Sequence, residues 1–205
     1  MSEKLYLYPV WVRLWHALNA ILIITLIISG VSMQYSNPDN PFIRFDLAVK
    51  LHNISGITLT ISYLIFLIGN IITPNGKYYK LSLKGLFNRL MKQFIYYTIG
   101  IFKHETPPFP VTKERKFNPL QQFTYVVAMY CLVPVVILTG WAFLYPEVVF
   151  AKFLSGNLFK INNIIHVIIG FFLSFFMIIH IYFCTIGATF VSNFKSMING
   201  FHESH

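Results

Sequence analysis

Apolar residues fall in four long, almost unbroken stretches: Val10 to Met33, Leu47 to Thr73, Leu120 to Tyr145 and Ile161 to Val191. At about 1.5 Å of rise per residue, each stretch read as a helix spans about 30 Å of hydrocarbon. The pattern predicts an all-α, integral-membrane four-helix bundle, with residues 1–205 forming one domain. A polar turn, Ser36-Asn37-Pro38-Asp39-Asn40-Pro41, joins the first two spans, and Pro146 to Lys160 joins the last two. About 45 residues, Pro74 to Pro119, separate the second span from the third. Inside that loop the spacing changes. From Leu86 to Phe102 the apolar Phe87, Leu90, Met91, Phe94, Ile95 and Tyr97 alternate with Arg89 and Lys92, which predicts an amphipathic helix lying on the membrane surface. Thr106-Pro107-Pro108-Phe109-Pro110 is expected to be extended or turn-like.

Composition strengthens the membrane reading. The chain is 56% hydrophobic and only 11% charged, where soluble domains average about 25% charged. The first apolar run is longer than a secretory signal core and no A-x-A site follows, so it is expected to stay as a span. The net charge of +9 is informative through its placement. The long loop carries Lys77, Lys80, Lys84, Arg89, Lys92, Lys103, Lys113, Arg115 and Lys116, and the termini add Lys4, Arg13 and Lys195. Only Arg44, Lys50, Lys152 and Lys160 fall on the other side. The positive-inside rule then puts both termini and the long loop in the cytoplasm of a cell with an inner membrane, with lipid and not nucleic acid as the surrounding partner. Cys131 and Cys184 form no C-x-x-C pattern and read as packing residues, and the lack of C-x-x-C-H excludes covalent haem attachment.

Histidines supply the candidate chemistry. His166 and His180 lie fourteen residues apart in the fourth apolar stretch, on nearly one helix face and about 21 Å apart along the axis. An imidazole within a bilayer is costly and points to function. By chain direction, His16 and His180 share the inner level, and His52 and His166 share the outer level. Each level thus receives two imidazoles from two different spans. Two such pairs suit two non-covalent b-type haems, each with bis-histidine, six-coordinate iron fitted for electron transfer. Gly56 and Gly170 each follow a histidine by four residues, and Gly30 follows His16 by fourteen, so these three either admit a macrocycle or serve ordinary helix packing. Arg13 is placed to meet a haem propionate, to anchor the inner interface, or both. Tyr6, Tyr8, Trp11 and Trp15 read as interfacial belt residues. His104, His202 and His205, in the loop and tail, receive no role.

These residues resemble a known family. Arg13-x-Trp15-His16-x-x-Asn19-Ala20, His52 with Gly56, Lys116-Phe117-Asn118-Pro119-Leu120-Gln121, the His166/His180 pair and Ser196-Met197-Ile198-Asn199-Gly200-Phe201 are similar to the prokaryotic dihaem cytochromes b. Those are the membrane subunits of nickel-iron hydrogenases, formate dehydrogenases and thiosulfate reductases. The resemblance implies a quinone-reactive subunit, with His180, Asn118 and Gln121 bounding the quinone pocket; a glycine of the relatives' segment is replaced by Leu120. Asn118 also suits a plain helix cap with Pro119 in the first turn. The expected function is electron transfer between the quinone pool, the inner haem, the outer haem and an iron–sulfur or multihaem partner at the outer face. No residue of this chain is assigned as catalytic. Two other readings stand beside it. One is a solitary quinol-oxidising cytochrome that donates to a soluble carrier or oxygen species. The other is a histidine-lined metal or proton transporter, disfavoured because no Asp or Glu lies deep in a span.

Overall fold

The computed structural model describes residues 4–37, 39–150, 156–187 and 189–203; Lys152 and His205 lie outside them. In chain order, β1 (Lys4–Tyr6) leads into α1 (Val10–Tyr35) and α2 (Phe45–Ile72). A 3-10 turn (Pro74–Tyr79) and α3 (Leu86–Ile95) follow. The third span is built from α4 (Pro119–Val127), a π-helical turn (Ala128–Leu132) and α5 (Val133–Leu144). Then come the short α6 (Pro146–Phe150), the long α7 (Gly156–Cys184), α8 (Ser192–Asn199) and β2 (Phe201–Glu203). The chain is an all-α membrane helical bundle, with four helical stretches long and apolar enough to cross a bilayer. Exposed side chains such as Leu14, Ile21, Ile24 and Ile28 on α1 and Ile61, Ile65 and Ile68 on α2 are those expected to face lipid.

Two spans depart from the simple pattern. Pro134 has no N–H to give and its ring crowds the carbonyl four residues back, and the π turn of the third span falls just before it. The fourth helix stops at Cys184, seven residues before the apolar stretch ends. There Asn193 donates to the carbonyls of Cys184 (3.2 Å) and Ile186 (3.1 Å), so a side chain closes the helix end where hydropathy alone continues. The surface helix is also shorter than expected. α3 ends at Ile95, and Tyr96–Gly100 forms a second π turn, followed by a 3-10 turn at Ile101–Lys103.

The chain packs as two units. The first holds residues 1–13, 69–131 and 180–205, and the second holds residues 14–68 and 132–179. In the first, β1 and β2 pair antiparallel, with Leu5 opposite His202, so the two ends of the chain lie together. Arg13 reinforces this closure by donating through Nη1 to the Ile198 carbonyl at the end of α8. In the second unit, polar side chains tie spans together, as expected where apolar surface alone gives helices no preference for each other over lipid. Asn19 donates to Ser62 Oγ at 2.7 Å, and Trp15 Nε1 donates to the Ser62 carbonyl at 3.0 Å. Trp141 Nε1 donates to Thr60 Oγ1 at 3.0 Å, joining α5 to α2. Trp15 also stacks on the buried Phe66, with ring centres 4.7 Å apart, so this residue packs inward instead of serving as a lipid-facing belt.

Candidate functional site

In the second unit, α2 carries His52 and α7 carries His166, and their rings meet in a T-shaped, edge-on arrangement with centres 6.2 Å apart and planes at 64°. Each ring is held by a hydroxyl on another span. Ser29, fully buried on α1, lies 3.0 Å from His52 Nδ1. Thr139, on α5, lies 2.8 Å from His166 Nδ1. Both hydroxyl protons already have acceptors, because Ser29 donates to the Thr25 carbonyl at 2.6 Å and Thr139 to the Val135 carbonyl at 2.8 Å. The hydroxyl oxygens are therefore left to accept, and each histidine donates its Nδ1–H. In that tautomer each Nε2 carries a lone pair able to ligate a metal.

The residue after each hydroxyl is glycine. A Cβ on Gly30 would lie 3.4 Å from His52 Cε1, and one on Gly140 would lie 3.4 Å from His166 Cε1. The hydroxyl–glycine pairs Ser29-Gly30 and Thr139-Gly140 thus do one job twice: the first residue anchors the imidazole and the second lets it approach the helix. Gly140 was not anticipated from the sequence, although its Thr139 neighbour repeats the Ser29-Gly30 dipeptide and marks it. Gly56 and Gly170, one turn beyond His52 and His166, are open: a Cβ on Gly56 would meet only Leu26, at 4.0 Å, and one on Gly170 would meet nothing within 4 Å.

His180 belongs to the first unit. Its Nδ1 hydrogen-bonds the Tyr125 hydroxyl at 3.2 Å, and its Nε2 has a weak contact with Cys184 Sγ at 3.8 Å. Arg13, in the same unit, is engaged at Ile198. His16 sits half-buried on α1 in the second unit. Asn118 and Gln121 form a capping box on α4, in which Gln121 N–H donates to Asn118 Oδ1 (3.0 Å) and Asn118 N–H donates to Gln121 Oε1 (3.3 Å). The Asn118 amide also donates to the Tyr97 hydroxyl at 2.7 Å.

The first unit surrounds these residues with phenols and one buried cation. Lys116 is 3% exposed, donates to Asn75 Oδ1 at 3.2 Å, and lies 4.5 Å from the centre of the Tyr8 ring and 5.5 Å from that of Phe117. Burial pulls its pKa down to about 8. Burial holds the Tyr8 phenol up at about 12 and raises Tyr79 and Tyr97 as well. The sequence showed Lys116 as one base among the loop's many and as the first residue of the Lys116–Gln121 segment, but not as a buried one.

The sequence pattern described as prokaryotic cytochrome b561 matches residues 7–200, nearly the whole chain. This chain belongs to that family. A relative named putative cytochrome YdhU, from Escherichia coli (strain K12), is 38% identical over 202 residues, which cover 98% of this chain and 76% of the relative. No solved structure matches. The protein is therefore a membrane b-type cytochrome of electron transfer that binds haem b.

The His52–His166 pair fits that cofactor. A metal–imidazole bond is about 2 Å and the ring nitrogen stands about 1.1 Å from the ring centre, so two rings opposed across one iron are centred about 6 Å apart. The observed 6.2 Å agrees. Among the described residues no group of three or more His, Cys, Asp or Glu gathers that could cage a bare ion. Two histidines with free Nε2 atoms suit a metal whose other four positions are filled by a macrocycle.

Proposed function

We propose that this cytochrome holds two haems and carries electrons between the quinone pool and a redox partner subunit of a respiratory complex. The observation that carries the reading is the His52–His166 pair, with ring centres 6.2 Å apart and both Nδ1–H groups engaged by hydroxyls. His16 and His180 are the candidates that the sequence offers for the second haem. When bound between two imidazoles, haem supplies a one-electron ferric/ferrous couple with no open position for oxygen. Ser29 and Thr139 hold their histidines in the ligating tautomer, and Gly30 and Gly140 keep the helices close to the rings.

Quinone chemistry is assigned to the first unit, around His180, Asn118 and Gln121. The Gln121 side-chain N–H2 takes no part in the capping box, and Asn118 has a second N–H beyond the one given to Tyr97. Both are donors suited to a quinone carbonyl. The same unit contains both chain ends and the long loop with its nine basic residues, which supports a cytoplasmic placement in the inner membrane. Arg13 stands at that interface, and Gly56 and Gly170 leave room beside the His52–His166 pair. Cys131 and Cys184 are too few to hold an iron–sulfur cluster. Substrate chemistry therefore falls to an iron–sulfur or multihaem partner on the outer face.

The test is haem quantified per chain in purified protein, together with reduction by a quinol. Two b-type haems per chain, both reduced by duroquinol or menadiol, are expected. One haem per chain removes the dihaem reading, and reduction by dithionite but by neither quinol removes the quinone reading.

A further inference from the structure

Helix α3 is amphipathic, with Phe87, Met91, Phe94 and Ile95 exposed on its surface. Its buried residue is polar: Gln93 is 2% exposed. A buried amide needs partners for both ends. One end of Gln93 is satisfied by a hydrogen bond to the Tyr97 hydroxyl. The other end, Oε1, is fully buried and has no hydrogen-bond partner among the described residues. An unmet acceptor is costly in the interior of a protein and is unusual in a native chain.

The neighbourhood says what would fill it. Tyr97 also receives the Asn118 amide at 2.7 Å, so Gln93 and Asn118 meet at one phenol oxygen. The Tyr97 ring packs on Phe183 with centres 4.6 Å apart, and Phe183 lies one turn beyond His180 on α7. Tyr97 is delivered by the π turn Tyr96–Gly100, a backbone irregularity that tends to occur at functional sites. Gln93, Tyr97 and Asn118 thus form a connected polar cluster beside the His180 turn, drawn from the surface helix, the π turn and the cap of α4.

We propose that Gln93 is a head-group residue of a quinol site, its Oε1 accepting the hydrogen of a quinol hydroxyl while Tyr97 aligns the amide. This rests on the quinone reading above and adds a wall to it, the membrane-surface helix α3. An acceptor at this position selects the reduced form, because a quinol has an O–H to give and a quinone has none. Oxidation of the quinol would give up two electrons, which the two haems of the proposed function would accept one each, and two protons to water, and the Gln93 contact would be lost with the hydroxyl hydrogen. The residue thereby favours binding of quinol over retention of quinone.

The experiment uses haem-loaded full-length protein and duroquinol. Gln93→Met keeps the volume of the side chain and removes the acceptor; Gln93→Glu keeps an acceptor oxygen. The Met variant is expected to raise the KM for duroquinol about tenfold, with haem content and dithionite-reduced spectrum unchanged, while the Glu variant stays within about threefold of wild type. If the Met variant instead melts higher than wild type at an unchanged KM, the amide was only an unsatisfied core group and the assignment is overturned. Wild-type protein that dithionite reduces and neither duroquinol nor menadiol does would sink the quinone reading and this residue's role with it. Should the Met variant lose haem, Tyr97→Phe carries the same test, since it removes the oxygen that orients Gln93, and the same rise in KM is expected.

Discussion

The two packing units treat histidine differently. In the second unit His52 and His166 are each met by an aliphatic hydroxyl whose own proton is committed to a backbone carbonyl, and each ring lies against a glycine. In the first unit His180 is met by a phenol, Tyr125, amid further phenols, the buried Lys116 ammonium and the amides of Gln93 and Asn118. One environment holds its imidazoles in set orientations, as metal ligation would require. The other is rich in groups that both donate and accept, as a site exchanging protons with its surroundings needs. The contrast teaches that the same side chain can serve as a fixed ligand or border a reactive pocket, according to which oxygen faces its Nδ1.

The strongest test removes a ligand. His52→Ala and His166→Ala should each eliminate one haem, and the same one, leaving about half the haem per chain in a pyridine haemochrome assay. If the two variants lose spectroscopically different haems, the pairing across α2 and α7 is wrong. A smaller effect is expected from Gly140→Leu. Even its Cβ would lie 3.4 Å from His166 Cε1, so the branched side chain must push the ring away. That haem's occupancy is expected to fall below half of the wild-type value, while Gly170→Ala, where nothing lies within 4 Å, should retain it.

The meeting of His52 and His166 was legible because burying imidazole in an apolar run is expensive, so their positions stand out against their neighbours. The four spans were legible for the same reason. What surrounds the two rings was not. Ser29 and Thr139 look like any hydroxyl that bonds back to the preceding turn of a helix, and only the distance to a histidine on another span gives them a role. The π turn at Ala128–Leu132 leaves hydropathy unchanged, since it alters which carbonyl each N–H meets and not which residues are apolar. The early end of α7 depends on Asn193, nine residues beyond Cys184, and the β1–β2 pairing joins opposite ends of the chain. Gln93 and Lys116 lie in a loop whose other polar residues are mostly solvated, so their burial is a tertiary fact.

Lys116 offers a test confined to the first unit. Its pKa is lowered to about 8 in the folded protein from the ordinary 10.5, so between these values the unfolded chain binds more protons than the folded one. Stability should therefore rise as pH increases from about 8 to about 10.5, by at most about 3 kcal/mol, and be independent of this group below about pH 8. Lys116→Met should remove that dependence from the thermal midpoint, leaving the protein more stable at pH 7 by whatever desolvation exceeds the lost contacts with Asn75 and the Tyr8 ring. A rising slope that persists in the variant would show that Lys116 is not its source, because the neighbouring tyrosines, with raised pKa values, can only lower stability as pH increases.

The finest distinction between the units lies in the hydroxyls themselves. An Nδ1–H that donates to a good acceptor makes the imidazole more electron-rich, which favours ferric iron and lowers the midpoint potential. Removing the acceptor should raise it. Ser29→Ala and Thr139→Ala are each expected to shift the same haem upward by about 30–60 mV, the larger figure being a tenfold change in a one-electron equilibrium. Thr139→Ser, which keeps the oxygen, should restore the wild-type potential, and the double alanine variant should show nearly the sum because the two hydroxyls act on different ligands. Tyr125→Phe should shift the haem held by His180 less than either. A phenol oxygen shares its lone pair with the ring and accepts more weakly than an alkyl hydroxyl polarised by its own bond to a carbonyl. Potentiometric titration resolves the two haems, and an equal or larger shift for Tyr125→Phe would show that the phenol anchors its histidine as firmly as the alcohols do, erasing the difference between the units.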